Sequence, residues 1–444
     1  MNLNQPRFQE FRETIKHLGE QIQPVEGLTD DERVRRAKGI FLSRVNSAMA
    51  LDMETCIHCG MCAEACHFYV NSLEPRYAPI HKVDLLRRVY RRELGPQRWL
   101  YRLFSRDITA QELEEWQELV YDACTECGRC AMICPMGINL TAMINVVRRG
   151  VAEAGFMPNE LRAVIKEQEE KGTTFGIGPQ ELKEALEKLK DEGLDIPIDK
   201  DKADVMLLIS GYSVDITQDA LEATVKIMNH LGVNWTIRTD AYECAHFGML
   251  SGSDEALRSS TLRAVNAAVA CGAKTVIIGE CGYGYTALRW EGARRYGKML
   301  PFEVMAMSEY LGQQLMAGQL RLKQMPKQTV TYHDPCKVGR ISGVFDEPRA
   351  LLNALGVELR EMASPPQTNW CCGGGSGVFL INRATHLRQQ AFESKRSAVV
   401  ETEADTVVVS CDNCRMTFEL GKLNSHWEMP VASLVVMVGA NLAD

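Results

Sequence analysis

The chain has 444 residues, 45% of them apolar, a formal net charge of −8 and sixteen cysteines. That length is a prior for about three domains, each with enough apolar residues for a core. The acidic balance argues against nucleic acid as a partner, the opening Met-Asn-Leu-Asn-Gln-Pro-Arg-Phe lacks the apolar stretch of a secretory leader, and no apolar run approaches the roughly 18 residues of a membrane span. The cysteines are therefore expected in a reducing cytoplasm, where close spacing means metal rather than disulfides.

Residues 1–160 are predicted to be mainly helical. Asp30-Asp31-Glu32 opens a helix expected to run through Val45-Asn46-Ser47. Residues 82–93 set Val83, Leu85, Leu86 and Val89 against a basic face, and segments 110–120 and 140–154 also carry helical periodicity. The basic stretch 81–92 reads as a solvated face, with docking on an acidic partner or on phospholipid as the alternative. Two cysteine runs interrupt this material. Residues 56–66 read Cys-Ile-His-Cys-Gly-Met-Cys-Ala-Glu-Ala-Cys, and residues 124–134 read Cys-Thr-Glu-Cys-Gly-Arg-Cys-Ala-Met-Ile-Cys.

Each run is C-x2-C-x2-C-x3-C, the spacing that wraps a cubane 4Fe–4S cluster, and the last cysteine of each run ligates the other cluster. Cluster one is assigned to Cys56, Cys59, Cys62 and Cys134, and cluster two to Cys124, Cys127, Cys130 and Cys66. Gly60 and Gly128 let the backbone approach the sulfides. Pro135 follows the second run, while His67 replaces proline after the first, most simply as a packing substitution. The 57 residues between the runs are too many for a compact hairpin ferredoxin and fit an α-helical one.

Residues 161–203, rich in Lys, Glu and Asp, read as a linker carrying one amphipathic helix over 179–191. Then the period changes. A β-run over 204–210 is followed by a helix (218–231), a short strand (235–238), a helix (255–270) and the run Thr275-Val-Ile-Ile-Gly. The scheme recurs with a strand at 330–333, helices at 348–355 and 386–401, and a strand at 406–410. Residues 431–442 read as one buried helix. The alternation argues for α/β units with parallel sheets: a first domain over 204–320 and a second over 321–444. Thirty-eight residues separate Cys372 from Cys411, and 36 separate Cys244 from Cys281. A near-constant offset with matching elements is the mark of a repeat, in which the first copy has lost three of five cysteines.

The second copy holds Cys336, the pair Cys371-Cys372, and Cys411-Asp-Asn-Cys414. Five thiolates at strand ends converge where an open α/β sheet binds ligands, and Gly373-Gly-Gly-Ser-Gly leaves the backbone bare beside the pair. No Lys-Ser/Thr follows, so a phosphate loop does not fit. Cys271 reads as core. His246 and His333 flank candidate ligands. His333 is placed either to hydrogen-bond cluster sulfur or supply a proton, or to make a structural hydrogen bond.

Cys336, Cys371-Cys372-Gly373, Cys411 and Cys414 match the cysteine-rich "CCG" signature. An α-helical ferredoxin followed by two tandem α/β CCG domains resembles the D subunit of the membrane-linked heterodisulfide reductase. It also resembles the K subunit of the sulfite-reductase-associated complex and the B-type subunits of sulfur-oxidising heterodisulfide-reductase-like complexes. Tyr242-Glu-Cys-Ala-His-Phe-Gly and Gly279-Glu-Cys-Gly-Tyr-Gly look closest to the K-like branch. The resemblance implies a third, special or noncubane 4Fe–4S centre on Cys336, Cys371, Cys372, Cys411 and Cys414. Only Cys244 and Cys281 match in the first copy, where they either face the site or persist as buried thiols.

The function expected is thiol–disulfide or persulfide redox chemistry at the CCG centre, acting on a small or carrier-bound substrate. Two cubanes would relay electrons to or from a membrane quinone-reactive cytochrome subunit or a flavin-containing subunit. The location expected is cytoplasmic, or peripheral on the inner membrane face through that partner. The alternative is a noncatalytic electron-transfer subunit of a flavin-dependent dehydrogenase of the glycolate, lactate or glycerol-3-phosphate type.

Overall fold

The computed structural model describes residues 6–21, 25–173 and 178–443. A helical part comes first, beginning with Pro6–Gln21. The helix Asp30–Arg44 starts at a capping box, in which the Thr29 hydroxyl accepts the Glu32 N–H and the Glu32 carboxylate accepts the Thr29 N–H. This helix does not run through Ser47. Asn46 caps a separate helix, Ser47–Thr55, by accepting the Met49 N–H at 2.9 Å. The break delivers Cys56 at the end of that second helix.

The basic segment is likewise two helices, Pro79–Lys82 and Asp84–Glu93. Its Leu85, Leu86 and Val89 are fully buried, each contributing roughly 2 kcal/mol. Three of its arginines are engaged within the chain. Arg87 bonds His58 at 2.9 Å, Arg88 reaches both Glu112 oxygens at 2.8 and 2.9 Å, and Arg92 donates to the Ser105 carbonyl. Segment 161–203 holds a helix besides Pro179–Asp191: Asn159–Lys171, whose Leu161, Val164 and Ile165 pack into the helical core.

Two four-stranded, wholly parallel sheets follow. The first comprises β1 (Val205–Leu208), β2 (Trp235–Ile237), β3 (Thr275–Ile278) and β4 (Glu303–Ala306), in the order β2-β1-β3-β4. The second comprises β5 (Thr329–His333), β6 (Glu358–Leu359), β7 (Thr406–Val409) and β8 (Val431–Ser433), in the order β6-β5-β7-β8. One topology is thus used twice. Central strands flanked on both sides read as unbroken apolar runs such as Val-Met-Leu-Leu and Thr-Val-Val-Val.

The stretch 431–442 is a strand plus the helix Leu434–Ala440 rather than one helix. Ser433 ends β8 and its hydroxyl accepts the Val436 N–H, so one residue closes the strand and caps the helix. Leu207 and Ile277 of the first sheet share a core with Val330 and Val408 of the second. No helix among the described residues is long and apolar enough to cross a membrane.

Candidate metal centres

The two C-x2-C-x2-C-x3-C runs fold alike. In each, a loop leads into a single helical turn, Met61–Glu64 or Arg129–Met132. The backbones match: His58 and Gly60 have φ of 54° and 82°, Glu126 and Gly128 have 47° and 83°. Such left-handed residues turn successive N–H groups toward one concavity, as an anionic cluster requires. Gly128 is doubly constrained, since a Cβ there would lie 2.9 Å from Ile341 Cδ1.

The cysteines fall into groups that mix the two runs. Cys62 has Cys56, Cys134 and Cys59 as thiol neighbours, and Cys130 has Cys127, Cys66 and Cys124. Burial raises both thiols above their ordinary value. Cys66, Cys124, Cys127 and Cys130 line one cavity, into which Lys82 also reaches. Lys82 is buried, donates to the Ala123 carbonyl and sets its Nζ 3.9 Å from Cys66 Sγ.

The third group sits at the carboxyl ends of the second sheet. Cys336 follows β5, Cys371 and Cys372 lie beyond β6, Cys411 follows β7, and Cys414 is in the first turn of helix Asp412–Ser425. All five are buried and free, and Cys372 Sγ lies 3.4 Å from Cys414 Sγ. Cys371 has thiol partners in Cys127, Cys336 and Cys372. The second cysteine loop meets the CCG group here, with Cys371 Sγ 3.5 Å from Thr125 Oγ1. His333, at the end of β5, is 1% exposed, and its ligand atoms lie with those of Cys372 and Cys414 within 4.8 Å of one another.

The glycine stretch does more than bare the backbone beside the cysteine pair. Gly373 has φ 95°, but Cβ atoms at Gly374 and Gly375 would lie 2.1 Å from Thr417 Oγ1 and 3.3 Å from the Thr125 carbonyl. Glycine here lets the CCG loop press against its own helix and the ferredoxin loop together.

Four basic residues that the motifs did not single out seal this junction. Lys337 Nζ donates to the Glu126 carbonyl at 3.0 Å, and Arg340 to the Cys127 carbonyl at 2.8 Å. Arg129 donates to the carbonyls of Thr368 and Ala65 and lies 3.5 Å over the Trp370 ring. Arg148, fully buried, donates to the carbonyls of Cys124, Leu250 and Ser376 and pairs with Glu126 at 3.8 Å. Burial would raise Glu126, but Arg148 and Lys337 hold it below its ordinary value. The sequence signal was the position of Lys337 and Arg340 just after Cys336, which is informative only once the partner loop is in place.

A cavity opens between the two α/β units. Cys281, Cys336, Cys372, Cys411 and Cys414 line it, with Glu280 and Asp412. The units interlock here: Asp412 N–H donates to the Glu280 carbonyl, Ser213 to the Asp412 carboxylate, and Ser433 to Glu280. Burial pushes Asp412 up to about 6, and burial together with Asp412 pushes Glu280 well up. Cys281 faces the cavity. Cys244 sits fully buried behind it, with Cys281 as its thiol partner. Cys271 is core and points at the Ala268 carbonyl. His246 bonds the Cys244 carbonyl at 2.9 Å. His67 is buried against Phe68, and its charged neighbours include Cys127 and Cys372.

Convergent groups of four, four and five free cysteines, with inward N–H loops and buried cations, fit anionic iron–sulfur clusters. Comparison with known proteins agrees. Residues 52–138 match a 4Fe-4S dicluster domain and residues 330–419 match a cysteine-rich domain of the CCG type. The chain is 27% identical to the D-type subunit of the dihydromethanophenazine:CoB–CoM heterodisulfide reductase of Methanosarcina barkeri, over 92% of this chain and 98% of that one. It is 27% identical to the Hdr-like menaquinol oxidoreductase iron–sulfur subunit 2 of Archaeoglobus fulgidus, over 82% of this chain and 75% of that one. It is 25% identical to the EtfAB:quinone oxidoreductase of Syntrophomonas wolfei, over 82% of this chain and 54% of that protein.

Proposed function

We propose that this iron–sulfur oxidoreductase subunit carries the catalytic site of a heterodisulfide-reductase-like complex, performing thiol–disulfide or persulfide chemistry in the cavity between its α/β units. In this reading the two cubanes rest on Cys56, Cys59, Cys62 and Cys134, and on Cys124, Cys127, Cys130 and Cys66. A third cluster rests on Cys336, Cys371, Cys372, Cys411 and Cys414. Bound there, the clusters supply one-electron steps at potentials set by their surroundings.

The observation that carries the reading is the contact of the CCG group with the second cysteine loop, where Cys371 Sγ lies 3.5 Å from Thr125 Oγ1 and Arg340 donates to the Cys127 carbonyl at 2.8 Å, with Cys127 and Cys371 as thiol neighbours. It supports a linear order: cluster one, cluster two, then the CCG group. Reducing a disulfide breaks one S–S bond, consumes two electrons and two protons, and releases two thiols. The cavity offers room beside Cys372 and Cys411, with Cys281 on the facing wall. Arg340, Arg129 and Lys337 close the junction by donating to loop carbonyls.

Cys59 is the exposed ligand of cluster one, with Ile57 64% exposed and Met61 45% exposed beside it. Helix Arg98–Phe104 has no buried residue, and its Trp99, Leu103 and Phe104 are 65%, 71% and 82% exposed. This end of the chain suits docking of a membrane quinone-reactive subunit, and two relatives carry a quinone or menaquinol in their names.

A second reading, an electron-transfer subunit of a flavin-dependent dehydrogenase, draws support from the first α/β unit, where only Cys244 and Cys281 match the five-cysteine CCG pattern. Anaerobically purified protein decides between them. About 12 irons per chain (three clusters of four) and a new paramagnetic signal on adding thiol to oxidised protein support catalysis. Full iron with no response to any thiol or disulfide favours the electron-transfer reading. Full turnover of the isolated chain with a quinone would remove the need for a membrane partner.

A further inference from the structure

We propose that His333 is a nitrogen ligand of the third centre, on the side of the group marked by Cys372 and Cys414. The inference rests on the reading that the CCG cysteines hold an iron–sulfur cluster. Its basis is an orphaned side chain. His333 closes β5, opposite Val409 of β7, and is 1% exposed. Both ring nitrogens are buried with no nitrogen or oxygen partner among the described residues, and the Cys372 thiol lies beside the ring. A buried imidazole left in this way is uncommon and calls for an explanation.

Phe418 closes one side of the ring, with ring centroids 5.3 Å apart at 61°. The thiols of Cys372 and Cys414 lie on another, 3.4 Å from each other, and one His333 nitrogen falls with them inside a 4.8 Å span. Two donors on one tetrahedral metal, with bonds of ~2.3 Å to sulfur and ~2.0 Å to nitrogen, stand roughly 3.5–3.8 Å apart; because bridging sulfides fill the remaining positions of a cluster iron, His333 would share its iron with one of these thiolates and take the place of the other. The CCG group thus offers six donors, five sulfur and one nitrogen, of which the imidazole would displace one thiolate. Exchange of thiolate for imidazole raises the potential of an iron–sulfur centre, which would distinguish this centre from the two all-cysteine cubanes.

The test uses the full chain, anaerobically purified with its clusters and grown with 15N-histidine or its unlabelled form. Pulsed paramagnetic resonance of the third centre should show a strongly coupled histidine nitrogen. The coupling should disappear in His333→Gln and persist in His67→Gln, the other buried histidine near these thiols. His333→Cys, which restores a donor of the cluster's usual kind, should keep about 12 irons, lack the nitrogen coupling and titrate at a lower potential. The unchanged cubane signals of each variant report that it has folded. A third-centre signal with only the weak coupling of a hydrogen-bonded nitrogen, or one unchanged in His333→Gln, overturns the ligand and leaves the cluster standing. Iron near 8 per chain with cubane signals alone overturns the cluster and the ligand together.

Discussion

Cys372 lies 3.4 Å from Cys414, with Cys371 and His333 beside it. Cys372→Ala should remove about four irons and abolish substrate turnover, while both cubanes stay reducible by dithionite. Iron analysis with paramagnetic resonance checks this. Retention of the third signal would move the centre off Cys372. Cys281 behaves differently in the proposed scheme, because it faces the cavity without belonging to the five-cysteine group. Cys281→Ala should lower turnover at least several-fold with iron content unchanged, and undiminished turnover would make it a relic thiol. At this scale the sequence was most legible in the cysteines, because ligation of a rigid cluster forces short fixed spacings. His333 was visible as a neighbour of Cys336, but nothing in the sequence says that its ring is orphaned. That depends on Phe418 and Cys414, some 80 residues later.

The elements follow from local rules where one rule dominates. β1, β3, β5 and β7 were legible because central parallel strands are apolar throughout. β4, β6 and β8 were not, being short, edge-placed or partly polar, as in Glu358–Leu359. The helix breaks at Asn46 and Val83 escaped a periodicity argument because the apolar rhythm continues through them and only the caps change. Arg148 shows how an element is fixed by charge. It projects from helix Leu140–Val151 into the turn that carries Cys124, donating to several carbonyls and facing Glu126. Arg148→Met removes that cation while the Glu126 carboxylate stays buried. Breaking one side of a buried pair costs about 3–5 kcal/mol. The variant is expected to show a large fall in urea midpoint and to lose cluster two before cluster one, read by stopped denaturation with visible absorbance. Equal loss of both clusters would mean that Arg148 supports the fold generally rather than this loop.

Across the whole molecule, the helical part and the first α/β unit are joined at Asp254, at the start of helix Asp254–Ala270. Its carboxylate receives Arg44 and Arg149 from the helical part, and Arg295, at 2.7 Å, from the first unit itself. No motif announces this clasp, since a lone Asp after Ser253 reads only as a helix start. Burial alone would raise the Asp254 pKa, but Arg149, Arg295 and Arg44 hold it below the ordinary carboxylate value. A carboxyl whose folded pKa is depressed stabilises the fold fully above its unfolded pKa, near 3.9. That contribution is lost as pH falls through the lower folded value. Asp254→Asn should therefore cost about 2 kcal/mol at neutral pH, the scale of hydrogen bonds to a charged group that is partly solvated. The deficit should be level from pH 8 to pH 5 and shrink only below about pH 4, where wild-type Asp254 takes up its proton. Urea unfolding of both proteins across that range, followed by tryptophan fluorescence, measures it. A deficit that vanishes already at pH 5 to 6 would place the Asp254 pKa above the ordinary value and remove the arginine clasp as the link between the two parts.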